Sequence, residues 1–180
     1  MKTAVIILAA GLGKRMQAGC NKMFLTIQGK TVLEHTVQAF QNSNAVDGIV
    51  IVAREKELAQ VQQMVPQKVY PKIIDYAGGG KERQDSVYCG LQVLPKAYER
   101  VLIHDGARPF VTQEVLEEVM DRAAQCGAAG PAVPVTDTVK RAMNGIVEET
   151  VDRDTLFAVQ TPQVFEASLI KAALQRAVEE

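Results

Sequence analysis

Three short clusters in the chain carry residue types suited to handling phosphate esters. The first is Ala9-Ala10-Gly11-Leu12-Gly13-Lys14-Arg15-Met16. Gly11 and Gly13 let a backbone approach a ligand closely and leave amides free to donate, while Lys14 and Arg15 add fixed positive charge at a helix start. In outline this is a phosphate loop. It departs from two familiar templates, since Met16 stands where a dinucleotide fold has its third glycine and no stretch has the spacing of a nucleoside-triphosphatase P-loop. A plain glycine turn with a solvated basic pair is the other reading of the same residues. Lys22 follows in Gly19-Cys20-Asn21-Lys22-Met23, just before apolar Phe24-Leu25. A lone loop lysine is ordinarily solvated, but with Lys14 and Arg15 it makes a group of cations able to hold a triphosphate.

The second cluster is Gly78-Gly79-Gly80-Lys81-Glu82-Arg83-Gln84-Asp85-Ser86. Consecutive glycines cost backbone entropy, so the run suggests a place where a flat ligand lies against main chain; a floppy loop is the alternative. The third is His104-Asp105-Gly106-Ala107-Arg108-Pro109. An Asp at a strand end, followed by a tight turn and an Arg, can orient a Mg2+ ion or a substrate hydroxyl while the Arg clamps a phosphate. An Asp turn closed by an Arg ion pair is the plainer reading. His104 alternates with Asp105 and is expected to point into the sheet packing as a structural residue.

Such clusters work only if strands bring them to one edge. Apolar, β-branched runs at 4–10, 48–53, 72–76, 100–104 and 128–135 are the strand candidates. The first, second and fourth are continuous rather than alternating, as in parallel strands covered on both faces. Helical patterns lie between them at 31–42, 55–65, about 82–94 and 112–126. The first opens on Thr31-Val32-Leu33-Glu34, a capping box. The alternation of strand and helix predicts an α/β fold with a doubly wound, mostly parallel sheet. In such sheets ligands bind beyond the carboxyl ends of the strands, where all three clusters fall. From about 136 to 155 the pattern changes to two short runs, 138–141 and 146–151, around Asn144-Gly145, a strong hairpin signal. A small hairpin is marginal alone, so this arm must pack on its own domain or on a partner subunit.

The 180 residues are 47% hydrophobic and 23% charged, which predicts one globular domain. Twenty basic against twenty-one acidic residues leave a net charge of -1, so no global positive field recruits nucleic acid or an anionic membrane. Any anion site must be local. The apolar run at 4–10 is too short to span a bilayer and lacks a cleavage signature. Three cysteines without a Cys-x-x-Cys pair make neither a full disulfide framework nor a common zinc site, so a reducing cytoplasm is the expected home. The two histidines, His35 and His104, are too far apart in sequence to suggest a metal centre.

Taken in order, Ala9 to Met16, Asn21-Lys22-Met23-Phe24-Leu25, Gly79 to Val87, His104 to Pro109, Pro134-Val135-Thr136-Asp137-Thr138-Val139-Lys140-Arg141 and Gln160-Thr161-Pro162-Gln163 resemble the 2-C-methyl-D-erythritol 4-phosphate cytidylyltransferases. The resemblance runs along the whole chain. It implies a Rossmann-like nucleotidyltransferase fold with a hairpin dimerisation arm, and transfer of CMP from CTP to the polyol phosphate. CTP would lie across the first loop (Ala9, Ala10, Gly11, Gly13) and the glycine loop, its cytosine read around Ala9, Ala10, Gly80 and Ser86. Arg15 and Lys22 match the family's catalytic cations, acting with Mg2+. Asp105, Arg108 and Thr161 match residues that hold the polyol phosphate, and Thr138 and Arg153 match arm residues that reach a neighbouring subunit's site in a homodimer. A ribitol 5-phosphate cytidylyltransferase shares the fold and CTP loops, and a non-catalytic nucleotide-binding dimer module is the reading from another class.

Two departures accompany the resemblance. Lys81 stands where many members have an acidic residue beside the cytosine, which would alter nucleotide affinity if the side chain points inward. The family also continues past the position of Glu180 with a further strand, helix and basic residue, so its carboxyl-terminal portion is expected to be absent here. The last segment, 165–180, reads as an amphipathic helix ending in Glu179-Glu180 without a glycine cap.

Overall fold

The computed structural model describes residues 1–11 and 21–179. Strand β1 (Lys2–Leu8) is buried on both faces from Thr3 onward, as its continuous apolar run requires. After a 3-10 turn at Lys22–Phe24, a two-residue ribbon, β2 (Thr26–Ile27) and β3 (Lys30–Thr31), leads into α1 (Val32–Asn42). The predicted capping box is present: the Thr31 hydroxyl accepts from the Glu34 amide and the Glu34 carboxylate accepts from the Thr31 amide. Strand β4 (Gly48–Ala53), helix α2 (Leu58–Met64), β5 (Ile73–Gly78), α3 (Arg83–Val93), β6 (Tyr98–Asp105) and α4 (Gln113–Cys126) follow. The predicted helix at 55–65 opens as a 3-10 turn, Glu55–Glu57, before α2 begins.

The central sheet has six strands. Strands β5, β4, β1 and β6 lie side by side and parallel. Because β4 and β5 lie to one side of β1 and β6 to the other, the strand order reverses between β1 and β6, which is where an open α/β sheet leaves a crevice. One apolar layer packs Val5, Ile7, Ile49 and Ile51 under α1, α2 and α4; the other packs Ile6, Val50, Val52 and Ile103 under α3 and α5 (Ala167–Glu179). Alternate residues of the same strands feed the two layers, so consecutive positions are apolar from Ala4 to Leu8 in β1 and throughout β4.

Two expectations change on the far side of the sheet. The apolar run at 128–135 divides into β7 (Ala128–Ala129) and β8 (Ala132–Pro134), separated by Gly130-Pro131. Pro131 has no amide to donate, so the run cannot continue as one ladder. The predicted helix at 165–180 begins only at Ala167; Phe165 and Glu166 belong to the last strand of the sheet (Gln163–Glu166), antiparallel to β6. Between these lie the arm strands β9 (Lys140–Met143) and β10 (Ile146–Thr150), then β11 (Phe157–Val159), which pairs with β8; the last strand is therefore β12. The arm turns through Asn144 (φ 52°) and Gly145 (φ 80°), the paired positive φ of a two-residue hairpin loop that the Asn-Gly sequence anticipates.

Candidate functional site

The carboxyl ends of β1, β4, β5 and β6 gather part of the sequence-predicted set, among them Ala9, Gly80, Ser86, Asp105 and Arg108. Ala9 leaves β1 with its amide donating to the Val52 carbonyl of β4 (2.6 Å), and Gly79 leaves β5 with its amide donating to the Ala53 carbonyl (2.8 Å). Both loops are thus pinned to the end of β4. They meet there: a Cβ on Gly79 would fall 2.7 Å from the Ala10 Cβ and 3.0 Å from the Ser86 Oγ. The glycine run is a close-packed junction rather than a floppy loop. A Cβ on Gly78 would land on the Glu55 carboxylate and one on Gly80 on the Asp85 side chain, so the chain's own neighbours account for much of its glycine content. Ser86 is buried with its hydroxyl on the Glu82 carbonyl (3.2 Å), while Gly80 and Lys81 are exposed.

Gly11 is exposed, and no heavy atom of the described residues lies within 4 Å of the position a Cβ would take. Gly13 and Arg15 lie outside the described residues. Lys22 opens the 3-10 turn that crosses toward β6, and the next residue, Met23, is buried against Gly106. Gly106 in turn donates to the Leu8 carbonyl (2.9 Å) and accepts from the Thr36 hydroxyl (2.8 Å). The Lys22 turn therefore sits over the β1/β6 crevice.

On the β6 side, Asp105 is held by two guanidinium groups, Arg83 Nη2 to Oδ1 at 3.2 Å and Arg108 Nε to Oδ2 at 3.1 Å. Arg108 also donates to the Gln160 side-chain oxygen, and the Asp105 amide donates to the Thr161 hydroxyl (3.4 Å). Thr161 arrives because β12 runs antiparallel to β6, so the segment just before Gln163 starts beside the carboxyl end of β6. Sequence reasoning singled out Asp105, Arg108 and Thr161 but gave no role to Arg83 or Gln160. Arg83 is in the first turn of α3, and only the fold brings it to Asp105.

A metal at Asp105 does not fit this donor set. Both carboxylate oxygens face guanidinium groups, and among the described residues no three His, Cys, Asp or Glu side chains come together as a metal cage. His104, as expected, is structural. It is buried, its ring meets Phe40 edge-on at 4.9 Å, and its Nε2 faces the Arg108 carbonyl at 2.9 Å. Burial, the largest influence, holds its pKa below the ordinary 6.5 despite the Arg108 carbonyl and the Asp105 charge. The neutral ring donates from Nε2, and Nδ1 has no partner among the described residues.

The arm stands apart from this edge. Every residue of β9 and β10 is exposed, Met143, Ile146 and Val147 among them. Thr138 and Arg153 are exposed as well, and the Arg153 guanidinium donates to the Thr136 carbonyl (2.8 Å), fastening the arm's base. The structure does not bring either residue to the Asp105 cluster within the described contacts of the chain.

Two residues to which sequence reasoning gave no role, Asn21 inside a quoted motif and Glu57 outside any, complete the edge. Asn21 and Glu57 are buried and bonded to each other at 3.2 Å, and Glu57 is paired with Arg54. No helix among the described residues is long and apolar enough to cross a membrane.

Comparison with known proteins matches residues 3–180 to the family model for 2-C-methyl-D-erythritol 4-phosphate cytidylyltransferase. The chain is 48% identical over 177 residues to the protein of that name from Geobacillus thermodenitrificans, covering 98% of this chain and 77% of that one. It is 45% identical over 180 residues to the one from Halalkalibacterium halodurans, covering 100% of this chain and 78% of that protein. Among solved structures, 4-diphosphocytidyl-2C-methyl-D-erythritol synthase from Anaerococcus prevotii superposes with a TM-score of 0.84 at 29% identity, covering 99% of this chain and 76% of that one. The cytidylyltransferase from Thermus thermophilus gives 0.75 at 31% identity, with 99% and 77% covered. A family match from β1 into α5, on a sheet that opens its crevice between β1 and β6, settles the lineage: the chain belongs to the 2-C-methyl-D-erythritol 4-phosphate cytidylyltransferase family.

Proposed function

We propose that this chain transfers CMP from CTP to 2-C-methyl-D-erythritol 4-phosphate, yielding 4-diphosphocytidyl-2-C-methyl-D-erythritol and pyrophosphate in the methylerythritol phosphate route to isoprenoids. The match to the family over residues 3–180 carries this reading. The chemistry is consistent with the side chains at the sheet edge. A phosphate monoester has its second pKa at about 6 and is an anionic nucleophile at neutral pH. Its oxygen attacks the α-phosphorus of CTP in line, the bond from that phosphorus to the α,β-bridging oxygen breaks, and pyrophosphate leaves. No general base is required, so the reaction does not depend on a nucleophile–base pair at this edge.

What the reaction requires is positive charge where negative charge shifts. Lys22 and Arg15 are assigned to the triphosphate, with Ala9, Ala10, Gly11, Gly13, Gly80 and Ser86 around the nucleotide. Asp105, Arg108 and Thr161 are assigned to the polyol phosphate. In this assignment Asp105 works as an organiser of Arg83 and Arg108. The magnesium ion enters as part of the substrate, Mg·CTP, in keeping with an Asp105 whose oxygens are already engaged. The exposed apolar face of the arm supports a homodimer in which Thr138 and Arg153 serve the neighbouring subunit's site, and the enzyme is assigned to the cytoplasm.

Pyrophosphate release from CTP, measured in parallel with 2-C-methyl-D-erythritol 4-phosphate and ribitol 5-phosphate, tests the assignment. Faster turnover of ribitol 5-phosphate overturns it. Lys22→Ala is expected to lower turnover by about 100-fold or more with the fold intact, because it removes a charge directed at the transition state.

A further inference from the structure

We infer that Asn21 is a positioning residue for Lys22, locked in place by the buried carboxylate of Glu57. The inference rests on the cytidylyltransferase role given to Lys22 above. Asn21 is 5% exposed and Glu57 8%, so an amide and a carboxylate are both withdrawn from water at the carboxyl edge of the sheet. Groups of this kind persist there only when bonded. The Asn21 Nδ2 donates to the Ala9 carbonyl (3.4 Å) and to Glu57 Oε2 (3.2 Å), and its Oδ1 accepts from the Met23 amide (3.4 Å). One short side chain therefore ties three segments: the residue that follows β1, the turn that begins with Lys22, and the turn that follows β4.

Glu57 is itself fixed. Arg54 donates from Nε to Oε2 at 2.9 Å and from Nη2 to Oε1, across one turn. A partly buried ion pair is weak support for stability, since well-packed apolar residues of similar size would serve a core as well. This one makes sense by what it holds. Ala9 is assigned to the nucleotide and Lys22 to its triphosphate, and Asn21 sets the spacing between them while touching neither ligand in this assignment. Arg54–Glu57–Asn21 is thus a chain of charge and hydrogen bonding that ends on the backbone on both sides of the proposed triphosphate site.

The test uses steady-state kinetics of the full chain, with thermal melting of each variant. Asn21→Asp keeps the shape but turns the donor facing Glu57 into an acceptor and removes the Ala9 contact. Its kcat is expected to fall by about tenfold or more, since small misplacements of a reacting group are costly. The KM for CTP should change by less than about threefold, a split that marks a loss felt in the transition state. Adding Glu57→Gln restores an amide–carboxylate pair with donor and acceptor exchanged, and should recover kcat by about threefold or more over Asn21→Asp, short of the starting enzyme because the Ala9 contact stays lost. Asn21→Ala should show the same split if Asn21→Asp does not fold. Full kcat in a folded Asn21 variant overturns the inference, as does a loss that follows melting temperature and is not restored by Glu57→Gln. Lys22→Ala separates the two levels. If it retains turnover, the role of Lys22 fails and the inference with it; if it loses turnover while Asn21→Asp does not, only the positioning role fails.

Discussion

Gly106→Ala addresses the junction on which the two halves of the crevice meet. A methyl group there would lie 2.8 Å from the Met23 Sδ, 3.1 Å from the Leu8 carbonyl oxygen and 3.4 Å from the Ile7 Cγ2. The sulfur belongs to a side chain that can swing, but the Leu8 carbonyl is part of the central strand and already accepts the Gly106 amide at 2.9 Å. The turn must therefore lift. Overpacking of this kind costs about 1–3 kcal/mol. For a chain of this length each kcal/mol lowers Tm by about 2–4 °C, so a fall of about 2–12 °C is expected. The relief needed is a few tenths of an ångström, and passed through Met23 to Lys22 in its proposed role it should lower turnover by roughly tenfold, less than the ~100-fold that a misplacement of about 1 Å can cost. Scanning calorimetry gives the first quantity and pyrophosphate release, measured well below the transition, gives the second. A variant with lowered Tm and normal turnover would break the proposed link from Gly106 through Met23 to Lys22. Unchanged values for both would refute the packing argument itself.

Other outcomes follow from the same contacts. Gly11→Ala meets no neighbour within 4 Å among the described residues, so its stability should stay within about 0.5 kcal/mol of the parent while the KM for CTP rises; an unchanged KM removes Gly11 from the proposed nucleotide site. Arg153→Ala should raise the KM for the polyol phosphate by about tenfold, as expected for a lost charge-assisted contact, with a smaller effect on CTP. Equal effects on both would contradict a site shared between subunits. His104 gives a pH signature. Its native pKa is held below the ordinary 6.5, so as pH falls below that value the unfolded chain binds a proton that the native chain refuses, and stability drops; at higher pH the residue contributes no slope. Denaturant titrations at several pH values should show this loss, and His104→Gln should flatten it. An equally steep slope in the variant would show that another group is responsible.

Much of the scaffold was legible because its signals are local. Continuous apolar runs marked β1, β4 and β6, Thr31 and Glu34 marked the start of α1, and Asn144-Gly145 marked the arm's turn, each within a few residues of the feature it produces. The boundary at Ala167 was not legible. Phe165 and Glu166 fit a helical pattern, but Gln163 to Glu166 pair with β6 and pass into α5 without a glycine or proline between them. The candidate site divides in the same way. Residues inside a contiguous motif, such as Asp105 with Arg108, were found. Arg83 and Asn21 stand inside quoted motifs, but their pairing with Asp105 and with Glu57 carries no sequence mark, because a charged or amide residue near a loop is ordinarily solvated.

The antiparallel entry of β12 beside β6 has a consequence for the order in which the site is built. The packing around Ala9 and Gly79 needs β1, β4, β5 and α3, and the seat of the Lys22 turn needs Gly106 at the end of β6, all of which precede the arm in the chain. The contact from Asp105 to Thr161 spans 56 residues and must wait for the arm to be traversed and the last strand to dock. In a chain that folds from its amino end as it is made, the proposed nucleotide side forms first and the proposed acceptor side closes last. Loop-closure entropy falls on that final step. Ligands should therefore act unequally during folding: a nucleotide can engage and stabilise the early half, whereas the acceptor phosphate has a place to bind only after the sheet is finished.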